Sequence, residues 1–161
     1  MQPLSQTFGY AVLALSCLAR SCRGRVQAPE IASCSGVPLP YLRKVLQSLV
    51  TGGLVISRRG RDGGVELARP APDISLWDVA LVVEPGIDEK HCLMGLTTCS
   101  DEHACPLHEF WKIERVRIEE HLRALSLEDA AAFGWTPEVL ALPPAERASA
   151  DRPSAAGDGT S

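Results

Sequence analysis

The stretch EIASCSGVPLPYLRKVLQSLVTGGLV, residues 30–55, contains two short amphipathic segments separated by a turn. Pro29 suits the first turn of one helix, Gly36 can adopt the positive φ of a tight turn, and Pro38 begins a second helix that ends at Gly52-Gly53. Two helices joined by a glycine turn predict a helix-turn-helix, whose second helix would enter the major groove of DNA. The apolar stripe of this second helix comprises Leu42, Val45, Leu46, Leu49 and Val50. The side chains on or near its opposite face, expected to contact DNA, are Pro40, Tyr41, Arg43, Lys44 and Gln47.

A second pattern follows directly at SRRGRDGGVELARP, residues 57–70. Two short apolar segments, 54–57 and 65–68, flank a tip rich in arginine and glycine, which predicts a β-hairpin. Arginine suits phosphate pairing or insertion into a narrow minor groove, and glycine allows the tip to approach a groove closely. We therefore interpret the hairpin as a wing. Its expected DNA-contacting residues are Arg58, Arg59 and Arg61.

Helical spacing of apolar residues predicts further helices on both sides of this unit. A first amphipathic helix is expected over 4–20, and a short one over 75–83 that begins with a capping-box pattern. The longest helix is expected at about 106–125, and one more short helix follows it. The wide apolar stripe of the longest helix would need a partner surface, which predicts a homodimer. The expected dimer residues are Leu107, Trp111, Ile118, Leu122 and Leu125.

These elements define the expected fold class and domains. The fold class is mainly α with a small β-hairpin wing, a winged helix-turn-helix plus a long dimerisation helix. The DNA-binding domain would occupy 1–84, a cysteine loop 85–105, and the dimerisation helix with a short packing helix 106–134. The segment 135–161 is rich in Pro, Ala, Ser and Gly and is expected to be mostly disordered.

Charge is distributed unevenly along the chain, whose formal net charge is −4. Residues 1–69 contain nine Lys/Arg and three Asp/Glu, for a net charge of +6, and the remainder contains seven and seventeen, for −10. A basic first half can face a polyanion such as duplex DNA. No apolar run approaches the roughly 18 residues of a membrane span, so a cytoplasmic protein without membrane contact is expected. No catalytic triad, phosphate-binding glycine loop or carboxylate pair favours an enzyme, although a winged-helix adaptor for other proteins stays an alternative.

The segment CLMGLTTCSDEHACPLH, residues 92–108, has a concentration of metal-binding side chains. Cys92, Cys99, Cys105 and His108 supply three thiolates and an imidazole, donors suited to an iron–sulfur cluster or to zinc. A thiol–disulfide sensor without metal is a further alternative. The other cysteines, Cys17, Cys22 and Cys34, lie among helical patterns and are expected to be unpaired structural residues.

With these motifs in this order, the chain resembles the Rrf2 family of transcription regulators, which includes the IscR-type and NsrR-type iron–sulfur repressors. The resemblance covers residues about 4–130. It implies a homodimer that binds a pseudo-palindromic operator in double-stranded DNA and responds, through its cluster, to iron–sulfur status, nitric oxide or redox state. The matching stretches are the two quoted above, ISLWDV at 74–79 and CLMGLTTCSDEHACPLHEFW at 92–111.

The resemblance also implies roles for individual residues. The three loop cysteines match the family's cluster ligands, and His108 stands where the IscR type has a histidine as fourth ligand. The NsrR type uses a carboxylate on the first helix of the partner subunit, and here Gly9 in that segment has no ligand. This difference favours 2Fe–2S over 4Fe–4S, but the gap after Cys92 has six residues where the IscR type has five, which leaves the nuclearity open. By the same resemblance, Tyr41 would meet the major groove and Arg59 the minor groove.

Overall fold

The computed structural model describes residues 4–21, 24–60, 63–89 and 91–133. Helices predominate, and one two-stranded antiparallel hairpin interrupts them, which agrees with the expected fold class. None of the described helices is both long and apolar enough to cross a membrane. In chain order the elements are α1 Gln6–Arg20, α2 Ala28–Ser35, α3 Leu39–Thr51, β1 Val55–Arg58, β2 Gly64–Leu67, α4 Leu76–Val83, α5 His108–Ala124 and α6 Leu127–Ala132.

Helix α1 is the centre of the core. Ser5 caps it by accepting a hydrogen bond from the Phe8 amide, and every residue from Tyr10 to Leu18 is buried. A helix that is buried all round has neighbours on all sides, and α1 contacts α2, α3, α4, α6 and β2. The sequence predicted an amphipathic helix here. The structure instead has a central helix, because α6 and α4 cover the side that a bare helix-turn-helix would leave open.

Helices α2 and α3 form the predicted helix-turn-helix. A capping box between Gln27 and Glu30 begins α2, and Gly36 ends it with a φ of 70°. Pro38 precedes α3, whose buried residues are Leu42, Val45, Leu46 and Leu49. Because these four side chains pack against the core on one face, the polar face of α3 is left to solvent.

The hairpin is paired in register from Val55 with Leu67 to Arg58 with Gly64. It is joined to the segment before α2, because Val26 and Val65 exchange two backbone hydrogen bonds of 2.9 Å. The wing is therefore held at its base by α3, which precedes it, and by the residue at the entrance to α2.

Helix α4 packs against α1, α3 and α5, and helix α6 packs against α1. Ser75 and Ser126 form an isolated backbone bridge, and each caps its following helix in a capping box. Trp77 of α4 and Leu122 of α5 form a second small core with Ala80. Leu127 packs with the main core, so α6 closes over α1.

Two predictions are corrected by this packing. Leu122 was expected on the dimer face, but it is 7% exposed and lies against Trp77 of its own chain. Cys17 and Cys34 were expected as unpaired residues, but they form a disulfide between α1 and α2. Helical spacing does not reveal such a pair, because the contact depends on how two separate helices pack. Cys22 lies outside the described residues, as does the predicted tail.

Candidate metal centre and nucleic-acid interface

The exposed face of α3 has the side chains expected to contact DNA. Pro40, Tyr41, Arg43, Lys44 and Gln47 are all exposed. They alternate along the helix with the buried stripe, so the core packing of α3 is what turns them outward. The structure thus makes this face available, as a helix that enters a major groove requires.

Tyr41 is positioned by α1. Its hydroxyl lies 2.8 Å from the Thr7 hydroxyl, and its ring meets the Tyr10 ring edge to face with 5.0 Å between centroids. An aromatic side chain with these two contacts has little rotational freedom. The sequence did not indicate this support, because Thr7 and Tyr10 are more than 30 residues from Tyr41 along the chain.

The wing exposes Arg58 and Arg59, while Arg61 lies outside the described residues. Gly63 allows the tip to turn, because a Cβ there would lie 2.5 Å from the Arg58 carbonyl oxygen. The Gln27 side-chain amide donates a hydrogen bond to the Gly63 carbonyl. The tip of the wing is thus joined to the start of α2. This contact fixes the position of the backbone near Arg58 and Arg59.

The predicted metal ligands converge. The sulfur atoms of Cys92, Cys99 and Cys105 all lie within 4.8 Å of one another, and the Cys92 and Cys105 sulfurs are 3.6 Å apart. His108 adds its Nδ1 atom 3.2 Å from the Cys99 sulfur. Three thiols and an imidazole at these distances match the donor sets of zinc and of iron–sulfur clusters.

Turns in the loop produce this convergence. The Gly95 amide donates to the Cys92 carbonyl at 2.8 Å, and Gly95 has a φ of 72°. The His108 amide donates to the Cys105 carbonyl at 3.0 Å at the start of α5. Cys105 therefore stands at the N-terminus of the long helix, as the sequence indicated, although the helix begins at His108 and not at Pro106. The helix dipole at this end favours anionic groups such as thiolates.

The pKa values of the thiols are not uniform. Hydrogen bonds from the Leu96 and Met94 backbone lower the pKa of Cys92 to about 7. For Cys99, a backbone hydrogen bond from Cys105 acts to lower the pKa, but burial and the neighbouring thiols of Cys105 and Cys92 outweigh it, so the pKa is raised. Close thiolates repel one another, and a bound cation stabilises all of them together. The chemistry of the donor set therefore fits a cationic occupant.

His108 contacts a second group on its other side. Its Nε2 lies 3.0 Å from Oδ1 of Asp101, and Lys112 donates to the same oxygen at 2.5 Å. Two hydrogen bonds lower the pKa of the Asp101 carboxyl to about 2; the one from Lys112 has the larger effect and the one from His108 the smaller. Asp101 was not predicted from the sequence. Lys112 could have been noticed, since it follows His108 by four residues and so lies on the same face of α5.

The loop is fastened to α5 at a second place. The Trp111 indole donates to the His91 carbonyl oxygen at 2.9 Å, one residue before Cys92. Trp111 was predicted as a dimer residue, and it is half-buried against its own chain. The side chains of His91, His103 and His121 are exposed.

Part of α5 remains apolar and exposed. Phe110, Ile113 and Val116 are 57%, 52% and 46% exposed, and Leu107 just before the helix is 38% exposed. Of the other predicted dimer residues, Ile118 packs beside Trp77 and Leu125 is half-buried. The exposed apolar face is thus shifted around the helix from the predicted one, because α4 covers the side that contains Leu122.

Comparison with known proteins agrees with these features. Residues 4–132 match the protein family Rrf2, described as an iron-dependent transcriptional regulator. The chain is 33% identical over 121 residues to the transcriptional regulator IscR of Photorhabdus laumondii, covering 74% of this chain and 73% of that one. Its fold is similar to CymR, the global cysteine regulator of B. subtilis, with a TM-score of 0.68, 26% identity and coverage of 84% and 100%. It is also similar to T. potens IscR, with a TM-score of 0.65, 28% identity and coverage of 89% and 95%.

Proposed function

Because this chain belongs to the Rrf2 family of winged-helix transcriptional regulators, we propose that it controls transcription through an iron–sulfur cluster bound by Cys92, Cys99, Cys105 and His108. The observation that supports this most strongly is the convergence of the three thiols with the His108 imidazole. Regulation of transcription is a non-enzymatic function, in agreement with the expectation from the sequence.

Within this proposal, 2Fe–2S is favoured over 4Fe–4S. His108 supplies a nitrogen donor at the site, and Gly9 on α1 has no carboxylate to contribute. When bound, a cluster supplies a centre that responds to oxidants, nitric oxide and iron supply. The role of the protein's own residues is to hold three thiolates and one imidazole together at the start of α5. They also keep bulk water away from the half-buried sulfurs.

The elements between the loop and the DNA-binding face provide a route for coupling. Cys105 adjoins α5, and Trp111 fastens the beginning of the loop to the same helix. Leu122 of α5 packs on Trp77 of α4, and α4 in turn contacts α3. We propose that loss of the cluster loosens the loop and changes the position of α5, and so changes the spacing of two recognition helices in a dimer.

The proposed partners are double-stranded DNA and a second copy of the chain. The exposed face of α3 would contact the major groove, and Arg59 in the wing the minor groove. The exposed apolar residues of α5 would form the dimer, because a symmetric dimer presents two recognition helices to the two halves of a pseudo-palindromic operator. We further propose that the protein is a repressor and that it is cytoplasmic.

A thiol sensor is the second candidate. The sulfurs of Cys92 and Cys105 lie 3.6 Å apart, close enough for a disulfide to form after a small movement. The fold is similar to that of CymR, which is described as a global cysteine regulator. A structural zinc bound by the same four residues is the remaining alternative.

Anaerobic purification distinguishes these candidates. We expect a coloured protein with stoichiometric iron and sulfide, and we expect Cys92→Ala to lose both. His108→Ala should alter the visible spectrum, because it removes the single nitrogen donor. A colourless protein with stoichiometric zinc would establish the structural metal, and a metal-free protein with a Cys92–Cys105 disulfide after oxidation would establish the thiol sensor. Equal affinity of cluster-bound and cluster-free protein for every operator would exclude the switch.

A further inference from the structure

The two ring nitrogens of His108 have different partners. Nδ1 lies 3.2 Å from the Cys99 sulfur, while Nε2 lies 3.0 Å from Oδ1 of Asp101 on the opposite side of the ring. His108 is 16% exposed at its side chain, whereas Asp101 is 69% exposed. The imidazole therefore lies between a half-buried thiol site and a carboxylate at the surface.

The charge at Asp101 determines which nitrogen has the proton. A carboxylate only accepts hydrogen bonds, and Lys112 already donates to Oδ1 at 2.5 Å. In the remaining contact, Nε2 of His108 must therefore have the proton and donate it in a hydrogen bond to Asp101. A neutral imidazole with its proton on Nε2 has its free lone pair on Nδ1, which faces the thiols.

We infer that Asp101 is a positioning residue for His108: it holds the proton on Nε2 and the ring orientation, so that Nδ1 is the ligand atom. This inference rests on the proposed cluster function. Metal-binding histidines commonly donate their second N–H to a carboxylate, and loss of that carboxylate typically lowers metal affinity about 10–100-fold. Lys112 supports the arrangement by holding the carboxylate in place.

Asp101 could instead be a ligand itself, because it forms a group with His108 and Glu109 whose donor atoms lie within 4.8 Å. The position of Lys112 argues against this. Its ammonium group occupies the carboxylate oxygen that a cation would need, and two positive charges on one exposed oxygen repel each other. Asp101 thus acts through His108 and not on the metal directly.

The first test uses the metal-free protein and does not depend on any cluster. We expect nitrogen-15 NMR of reduced, chelator-treated protein to show His108 in the Nε2–H form with a slowly exchanging ring proton. Asp101→Ala should abolish the slow exchange, whereas Glu102→Ala, which removes the neighbouring exposed carboxylate, should not. Rapid exchange in the wild type, or an unchanged signal in Asp101→Ala, would overturn the inference.

The second test measures cluster loss in anaerobically purified protein. Asp101→Ala should lose its iron at least about 10-fold faster than wild type and Glu102→Ala, and Lys112→Ala should change in the same direction but less. In a His108→Cys background, adding Asp101→Ala should have no effect, since a cysteine has no ring proton to position. An equal loss in that background would make Asp101 a ligand. A wild type without iron would refute the proposed function, while the NMR result would still decide the role of Asp101.

A different observation, in the DNA-binding half, supports a second proposal. The Cys17–Cys34 disulfide joins the central helix α1 to α2. Cys17 is buried and Cys34 is exposed. The Arg20 guanidinium lies 3.8 Å from the Cys17 sulfur and 3.7 Å from the Cys34 sulfur. A guanidinium close to both sulfurs favours the thiolate form, which is the reactive species in disulfide exchange.

We propose that Cys17 and Cys34 are a reversible dithiol–disulfide site, oxidised by low-molecular-weight disulfides. The Cys34 thiol loses its proton to solvent, and its thiolate attacks one sulfur of the small disulfide. The sulfur–sulfur bond of the small disulfide breaks, a mixed disulfide forms on Cys34, and one small thiolate leaves and takes up a proton from solvent. The Cys17 thiol likewise loses its proton to solvent, and its thiolate attacks the Cys34 sulfur. The mixed disulfide breaks, and the second small thiolate leaves and takes up a proton from solvent. The protein loses two electrons, and the small disulfide gains them.

Alkylation and mass spectrometry in glutathione redox buffers test this second site. We expect the Cys17–Cys34 disulfide to form and to be reduced reversibly as the buffer is varied, and Cys17→Ser to stop at a mixed disulfide on Cys34. Arg20→Met should slow the formation of the mixed disulfide. Cys34→Ser, with the loop cysteines intact, serves as the control for oxidation elsewhere. Two thiols that remain reduced in oxidised glutathione, or a disulfide that persists in excess reduced glutathione, would overturn the proposal.

Discussion

The Trp111 indole nitrogen donates a hydrogen bond to the His91 carbonyl oxygen at 2.9 Å. This bond connects the first turn of helix α5, which follows the cysteine loop, to the residue that precedes Cys92. Together with Cys105 at the start of α5, it fastens the loop to one helix at both of its ends. The loop and the start of α5 are therefore held together at two places.

Replacement of Trp111 by Phe should loosen the beginning of the loop. The ring is preserved but the donor is lost, and a hydrogen bond of this kind contributes about 0.5–1.5 kcal/mol. We expect hydrogen–deuterium exchange to become faster at the backbone of His91 to Cys99. Phe110→Leu, a change at the exposed neighbour, is the matched control. Unchanged exchange in Trp111→Phe would show that the turns of the loop suffice to hold it.

Replacement of Arg59 by Ala should weaken DNA binding and its dependence on salt. If Arg59 contacts a phosphate or a narrow minor groove, its loss should reduce the slope of log affinity against log salt by about 1. Fluorescence anisotropy with an operator duplex at several salt concentrations measures this slope. Arg117→Ala removes an exposed arginine from α5 and should leave the slope as it is. Equal slopes for Arg59→Ala and wild type would remove the wing from the interface.

Replacement of Ile113 by Glu should disrupt the proposed homodimer without unfolding the chain. Ile113 is 52% exposed, so a charge there is solvated in the monomer but would be desolvated in an apolar interface. We expect the dimer dissociation constant, measured by sedimentation, to rise at least about 10-fold. Leu81→Glu is the matched control, because it introduces the same charge at an apolar residue of α4 that is 44% exposed. A dimer that resists Ile113→Glu would have to use another surface.

Two glycines should respond to alanine in opposite directions. At Gly9 in α1 a Cβ would meet no atom within 4 Å, so Gly9→Ala should raise the free energy of unfolding by about 0.5–1 kcal/mol. At Gly52 a Cβ would lie 2.7 Å from one Val82 methyl and closer to the other. Gly52→Ala should therefore lower the free energy of unfolding by about 1–3 kcal/mol. Urea denaturation of the metal-free protein measures both, and each variant is the control for the other.

The cap of α6 should make stability depend on pH. Hydrogen bonds from the Ser126 side chain and backbone lower the pKa of Asp129 below its ordinary value of 3.8. A lowered folded-state pKa stabilises the protein above the unfolded-state value, and the contribution is lost as pH falls through the folded-state value. Asp129→Asn should therefore lower the melting temperature at neutral pH, and the difference should shrink below about pH 4. Glu128→Gln, an equal change of charge in the same turn, is the matched control variant.

Much of the DNA-binding half could be predicted from local sequence. Gly36 and Pro38 mark the turn between α2 and α3, and the apolar spacing of Leu42, Val45 and Leu49 gives the orientation of α3 directly. These signals are local, because a helix repeats every 3.6 residues and a turn needs specific backbone angles. The capping boxes at Ser75 and Ser126 are local signals too, because in each of them the donor and the acceptor lie three residues apart in sequence.

The contacts between distant elements could not be predicted in this way. The position of Leu122 against Trp77, the Cys17–Cys34 disulfide and the support of Tyr41 by Thr7 all join residues far apart in sequence. Nothing in the periodicity of one helix indicates which neighbour will cover it. The predicted dimer face was wrong at Leu122 for this reason.

The candidate metal centre also has features that the sequence predicts and features that depend on contacts between distant residues. The amino-acid sequence by itself determined the donor set, because Cys92, Cys99, Cys105 and His108 are the residue types that soft metals require and they lie within one short loop. Only the tertiary structure decided that the three sulfurs converge, that Nδ1 of His108 faces them, and that Asp101 and Lys112 stand behind the ring. The sequence specifies which chemical groups are present. The direction of a lone pair, however, depends on the backbone turns and side-chain packing that bring separate residues together.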